Sequence, residues 1–147
     1  MRKTLCSLIL AGSLFLSTNI VKADSLDKIL DAIQYVESGN KGENVPDGDN
    51  GKAIGPLQIH EIYYKDAATY DKSLGNDYSR CRELEFSRRV VRAYVCKYLK
   101  ETERTPENVA RLHNGGITTF RGSHNRTAWK NTTKYWNRVK NRMKNNE

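Results

Sequence analysis

Gln34-Tyr35-Val36-Glu37-Ser38-Gly39-Asn40, a polar run from Lys41 to Lys52, then Ala53-Ile54-Gly55-Pro56-Leu57-Gln58-Ile59-His60: this stretch decides the fold. Its first part ends an apolar helical pattern on an acid. Its last part is a short apolar hairpin kinked by Gly55-Pro56. Between them Asp47-Gly48 and Asn50-Gly51 are hairpin-turn pairs.

Upstream, Leu26, Ile29, Leu30, Ile33 and Val36 recur with the period of a helix. Asp24 and Ser25 are suited to cap its start. Gly39, in the left-handed conformation, is suited to end it. Glu37 then lies on the last turn, beside Val36. An apolar helix face should withhold water from that carboxyl, raise its pKa and let it hold a proton near neutral pH.

Downstream, residues 60–70 read as a short helix with Ile62, Tyr63 and Ala67 as its apolar positions, and residues 71–79 as a polar loop. Leu84, Val91, Tyr94, Val95 and Tyr98 mark a long helix over residues 83–100, fringed by Arg88, Arg89 and Arg92. Thr105-Pro106 opens another helix, with Thr as cap and Pro at the first helical position. That helix carries Val109 and Leu112 and should stop at Asn114-Gly115-Gly116. A basic loop containing Gly122 leads to a last helix with Trp129 and Trp136 as expected core anchors, followed by Val139 and Met143. The expected architecture is one mostly helical α+β domain with a small irregular β-hairpin. No repeat, linker or low-complexity segment interrupts it.

The chain has 147 residues and a formal charge of +8. Residues 1–23 read as a secretory signal peptide. Met1-Arg2-Lys3 is basic, Leu5 to Leu16 is apolar, and Val21-Lys22-Ala23 is a small-x-small cleavage site. The apolar run is too short to span a bilayer. The domain is then residues 24–147, expected to be secreted, extracellular or periplasmic. Arg2, Lys3 and Lys22 leave with the leader and no acid does, so +8 falls to +5. The excess lies late, where Arg121, Arg126, Lys130, Lys134, Arg138, Lys140, Arg142 and Lys144 face only Glu147. Such a helix attracts polyanions, and export favours anionic wall polymers over nucleic acid. It lacks the broad apolar face of a membrane-active helix.

Cys81 and Cys96 remain after the leader is removed. If both lie on one straight helix they stand about 22 Å apart, beyond bonding range. If the helix starts later, a disulfide stays open. His60 and His124 have no partner spacing for a metal, and no cofactor is implied. Asn125-Arg126-Thr127 and Asn131-Thr132-Thr133 are sequons, used only by a host that glycosylates exported proteins.

Asp47 and Asp49 follow Glu37 on the adjacent loop. Paired carboxylates are what glycoside hydrolysis requires: one protonates the leaving oxygen, the other attacks, stabilises charge or activates water. Three motifs, Val36-Glu37-Ser38-Gly39-Asn40, Ala53-Ile54-Gly55-Pro56-Leu57-Gln58-Ile59-His60 and Ala110-Arg111-Leu112-His113-Asn114-Gly115-Gly116, resemble the lysozyme and lytic transglycosylase superfamily. The order matches from Asp24 to about Val139. The portion from Gly55 to Tyr64-x-Asp66 is most similar to invertebrate-type lysozymes and their cysteine-poor bacterial relatives.

The resemblance implies a lysozyme-like fold, Glu37 as catalytic acid and a second carboxylate about a dozen residues on, which is Asp49 or else Asp47. It implies a Gly55-x-x-Gln58-Ile59 strand lining a sugar cleft, with His113, Asn114 and Gly115 in its wall. Gly55 would let a sugar ring approach closely. The Gln58 amide suits N-acetyl groups. Ser38 would bond the acid or a sugar, and Tyr63 or Tyr64 would stack on a sugar face. The substrate implied is the peptidoglycan glycan strand, cut at the β-1,4 bond between N-acetylmuramic acid and N-acetylglucosamine by a monomer without cofactor. Two alternatives stay open: a lytic transglycosylase that uses Glu37 alone and releases anhydro-muropeptides, and a non-catalytic cell-wall glycan-binding protein.

Overall fold

The computed structural model describes residues 17–122 and 126–145. Five helices and one two-stranded hairpin follow in order: α1 (Ser17–Ser38), β1 (Ala53–Ile54), β2 (Ile59–His60), α2 (Glu61–Tyr70), α3 (Leu84–Tyr98), α4 (Pro106–Gly122) and α5 (Arg126–Lys144). Short 3₁₀ turns fill most of the connections. This is the expected mostly helical α+β domain. Of the stretch expected to be a leader, residues 1–16 lie outside the described residues, as do His124 and the Asn125 sequon position.

The apolar stripe of α1 does what its period predicts. Ile29, Leu30, Ala32 and Ile33 are buried, and Asp27 and Asp31 point outward to Arg92 and Arg88 of α3. Asp24 and Ser25 lie inside α1, because no Gly or Pro interrupts the helix from Ser17 onward. The stop is as expected: the Gly39 N–H bonds back to the Tyr35 carbonyl at 2.8 Å, and Gly39 and Asn40 both have positive φ.

The hairpin is antiparallel, Ala53 opposite His60 and Ile54 opposite Ile59. Distant residues hold it. The Tyr78 hydroxyl donates to the Ile59 carbonyl at 2.6 Å and lies 3.1 Å from that of Lys52. Glu43 accepts from the Leu84 N–H at 3.1 Å, tying the turn after α1 to the start of α3.

The inward face of α2 is Tyr64 and Ala67, packed toward α3. Of the expected apolar positions Ala67 is buried, but Tyr64 takes the core place expected for its neighbours: Ile62 is 80% exposed and Tyr63 is only partly buried. The polar loop that follows is ordered by a repeated Asp-x-Ser pattern. Asp71 and Asp77 each accept both the N–H and the hydroxyl of the serine two residues on.

Helix α3 begins at Leu84, so Cys81 falls in the preceding turn; even so, both cysteines are free. Burial pushes the Cys81 thiol up to about 12, which leaves it inert. Thr105 caps α4 as expected, its hydroxyl accepting from the Asn108 N–H at 3.2 Å. At Gly116 (φ 65°, ψ 175°) the helical path breaks, but it resumes to Gly122 instead of passing into a loop.

Helices α4 and α5 pack on each other, and α5 also closes against α1. The inward side of α5 is Thr132, Tyr135 and Val139. The expectation that Trp129 is a core anchor is not met: its ring is 40% exposed and carries the Arg111 guanidinium at 4.3 Å. Trp136 sits at the core's margin. Arg111 itself is buried and satisfied by Glu107, Thr132 and Thr133. It fastens α5 to α4, and so helps place Tyr135.

Candidate active site

Glu37 stands where α1 leaves the core, with its side chain 21% exposed. Helix α5 brings the buried Tyr135, whose hydroxyl donates to Glu37 Oε1 at 2.6 Å. Helix α4 brings His113, whose Nε2 lies 3.6 Å from the same oxygen, an ion-pair distance rather than a hydrogen bond. Arg138, one turn beyond Tyr135, donates to the Val36 carbonyl at 2.9 Å and adds positive charge nearby.

These groups decide the carboxyl's titration. Burial is the largest single influence and pushes its pKa up. His113, the Tyr135 hydroxyl and Arg138 together outweigh burial, and the net value lies below the ordinary carboxyl value. The expected upward shift is therefore reversed. Water is excluded as the apolar stripe implies, but what replaces it favours the anion. In return, burial and then the Glu37 charge push the Tyr135 hydroxyl well above its usual range, so it stays a donor.

A cleft of about 610 Å³ opens between α2 and the Gly115-Gly116 break. His60, Tyr63, Asp66, His113, Asn114 and Gly115 are among its walls. Each histidine contacts one candidate carboxylate. His113 meets Glu37, and His60 Nε2 lies 3.6 Å from Asp49 Oδ2. Asp47 is engaged elsewhere, by Arg82 at 2.7 Å. Between the two candidates for a second carboxylate, Asp49 is the one connected to the cleft wall.

The other expected cleft residues are placed as follows. The Ser38 hydroxyl is buried and donates to the Gln34 carbonyl at 2.8 Å. What approaches Gly55 is the chain itself: a Cβ there would meet the Cys81 carbonyl oxygen at 1.8 Å. The Gln58 amide donates to the carbonyls of Gly55 and Pro46, at 2.9 and 3.3 Å, and so clamps the hairpin. Ile59 and Tyr64 lie in the core, the Tyr64 hydroxyl reaching the Leu74 carbonyl at 3.3 Å. Tyr63 is the tyrosine that lines the cleft.

Sequence reasoning missed Tyr135 and Arg138. A signal was present: Thr132, Tyr135 and Val139 recur at helical spacing, but the two tryptophans drew the reading to the neighbouring face. Asp66 on the cleft floor also has partners no local pattern shows, Lys97 and Tyr98 of α3. Among the described residues no group of three or more His, Cys, Asp or Glu is gathered that could hold a metal. No helix among them is long and apolar enough to cross a membrane.

Residues 27–142 match the model of the Destabilase family. The chain is also similar to Lysozyme 1 of Crassostrea virginica, with 34% identity over 113 residues. That match covers 75% of this chain and 55% of the relative, so the chain spans little more than half of that protein's length. No solved structure matches significantly.

Proposed function

The chain belongs to the Destabilase family and is related to invertebrate-type lysozymes, and from that premise we propose that it is a secreted glycosidase acting on peptidoglycan. The bond cut is the β-1,4 linkage between N-acetylmuramic acid and N-acetylglucosamine. The observation that carries this reading is the pairing of each candidate carboxylate with a histidine of one cleft: Glu37 with His113, and Asp49 with His60. The Glu37 Oε1 atom takes both Tyr135 and His113, which leaves Oε2 to meet a substrate.

In the reaction, protonated Glu37 gives its proton to the bridging oxygen as the bond from that oxygen to the anomeric carbon breaks. The electron pair leaves with the alcohol. Asp49 stabilises the cationic sugar or bonds to it, and Glu37 then takes a proton from the incoming water. Tyr135 and His113 stabilise the Glu37 anion formed at the first step.

The exposed side of α5 supports a second contact with the wall. Lys130, Lys134 and Lys140 are exposed, and none has an acid partner among the described residues. They would hold anionic wall polymers while the cleft takes the glycan.

The test is mass spectrometry of fragments released from purified peptidoglycan. Reducing-end muropeptides support the hydrolase. Anhydro-ended products mean that Glu37 works alone as a lytic transglycosylase. Wall binding without release means a glycan-binding protein.

A further inference from the structure

Helix α5 leaves the indole of Trp129 at the surface, 40% exposed. The Arg111 guanidinium covers one face of the ring, 4.3 Å from its centroid. Arg111 is buried and held by Glu107 at 2.7 Å. Its Nη1 donates to the Thr132 and Thr133 hydroxyls, at 3.1 and 2.9 Å. Those two hydroxyls donate in turn to the Trp129 carbonyl, at 2.8 and 3.0 Å. Two threonines therefore tie the indole's backbone to the cation beneath its ring.

A ring fixed in this way loses little freedom when something is laid on its open side, so the contact is retained as affinity. The charge beside it is one-signed. Glu107 is paired with Arg111, whereas Lys130, the next residue, and Lys134, one turn further on, are exposed. Residues 126–144 contain no acid. A flat apolar face with cations at its edge is the complement of an acidic sugar. A pyranose presents C–H bonds to an aromatic ring, and its carboxylate projects from the rim toward the ammonium groups. One indole is too small to be the apolar core of a stable protein interface.

We propose that Trp129, Lys130 and Lys134 form a second glycan-binding subsite, which takes an acidic N-acetylated sugar of a wall glycan strand. The site is separate from the cleft, whose α4 wall runs over residues 113–118 and includes neither Arg111 nor Trp129. It rests on the reading of peptidoglycan as the substrate and gives the basic side of α5 a specific ligand: the ring selects sugar, and the lysines add attraction for its carboxylate.

The test uses the protein's own fluorescence. The chain has two tryptophans, so Trp136→Phe leaves Trp129 as the reporter, and Glu37→Gln in the same chain prevents cleavage. The probe is peptide-free peptidoglycan glycan strands, whose lactyl groups are carboxylates. The Trp129 emission should shift to the blue and saturate as the strands cover the ring. By calorimetry, Trp129→Ala should weaken strand binding by about 2–10-fold, the factor of one aromatic contact, and Trp129→Tyr should restore most of it. Lys130→Gln with Lys134→Gln should weaken binding at low salt only. If Trp136→Phe does not fold, fluorine NMR of the chain labelled with 5-fluorotryptophan, with the Trp129 signal assigned by Trp129→Tyr, gives the same readout.

An emission that does not respond while strands bind overturns the subsite. An equal response to polyphosphate or to a single-stranded oligodeoxynucleotide means a surface for any polyanion, and also overturns it. So does a Trp129→Ala variant that loses thermal stability but binds strands as tightly as wild type, since the ring is then only a lid over Arg111. Fragment release by wild type with a silent Trp129 leaves the proposed function standing without the subsite. Saturable strand binding at Trp129 without fragment release overturns the glycosidase and leaves the subsite standing.

Discussion

Tyr135 donates its hydroxyl to Glu37 across 98 residues of chain, at 2.6 Å. The first and last helices of the domain thus meet at the acid itself. Any change that loosens α5 from α1 should be felt at Glu37 before it is felt in the core.

The simplest consequence concerns Glu37→Gln. The amide is isosteric and keeps an acceptor for Tyr135, so the fold should persist. It cannot give a proton, so fragment release from peptidoglycan should fall by about 10²–10⁴-fold or more. Wall binding should be unchanged. Near wild-type release would remove Glu37 from the mechanism.

Tyr135→Phe tests the same contact through stability. The folded carboxyl titrates below its ordinary value, so its contribution is present above the unfolded pKa and lost as pH falls through the folded one. Wild type should therefore lose stability on acidification below the normal carboxyl range. Without the Tyr135 hydroxyl, Glu37 titrates closer to its unfolded value and that loss shrinks. The single hydrogen bond to a charged group is worth about 1.5–3 kcal/mol at neutral pH. Urea unfolding at neutral and acid pH should show the two proteins converging as the pH drops.

The helical stripe of α1, its stop at Gly39 and the position of Glu37 were legible because each depends on residues within a turn or two. The same holds for the Thr105 cap and the hairpin. The carboxyl's titration was not legible: its sign depends on His113, Tyr135 and Arg138, brought from helices far along the chain. Nor was the phase of α2, where Ile62 and Tyr63 compete with Tyr64 for the core and only packing against α3 decides. Gly55 was read as room for a sugar, but its real neighbour, the Cys81 carbonyl, lies in a turn with no periodic signal. Trp129 was expected inside because it is large and apolar. A buried Arg111 uses its face instead.

That misreading of Gly55 gives a stability prediction. Its φ is +73°, and a Cβ would meet the Cys81 carbonyl oxygen at 1.8 Å, so both the conformation and the contact oppose a side chain. Gly55→Ala should destabilise by about 2–4 kcal/mol. The measurement is the thermal midpoint. An unchanged Tm would mean that the hairpin shifts away from the 78–82 turn without cost.

The two candidates for a second carboxylate separate cleanly. Asp49→Asn leaves the His60 contact as at most a neutral hydrogen bond and should lower fragment release by tenfold or more if the protein is a hydrolase. Asp47→Asn breaks a partly exposed pair with Arg82, worth no more than about 1 kcal/mol. It should cost a little stability and leave release intact. The reverse result would mean that the loop presents Asp47 to the cleft in the complex.

Finally, the charge on α5 is separable from the cleft. Replacing Lys130, Lys134 and Lys140 by Gln removes three exposed cations and touches none of the residues around Glu37. Binding to intact wall should weaken by roughly tenfold at low ionic strength, and the difference should disappear in high salt, where exposed charges are screened within about 3–5 Å. Activity on short soluble glycan fragments should stay at the wild-type level, because such substrates carry no extended polyanion to hold. If the triple variant binds wall as tightly as wild type at low salt, attachment lies in the cleft alone, and the basic face of α5 serves only to keep the protein soluble.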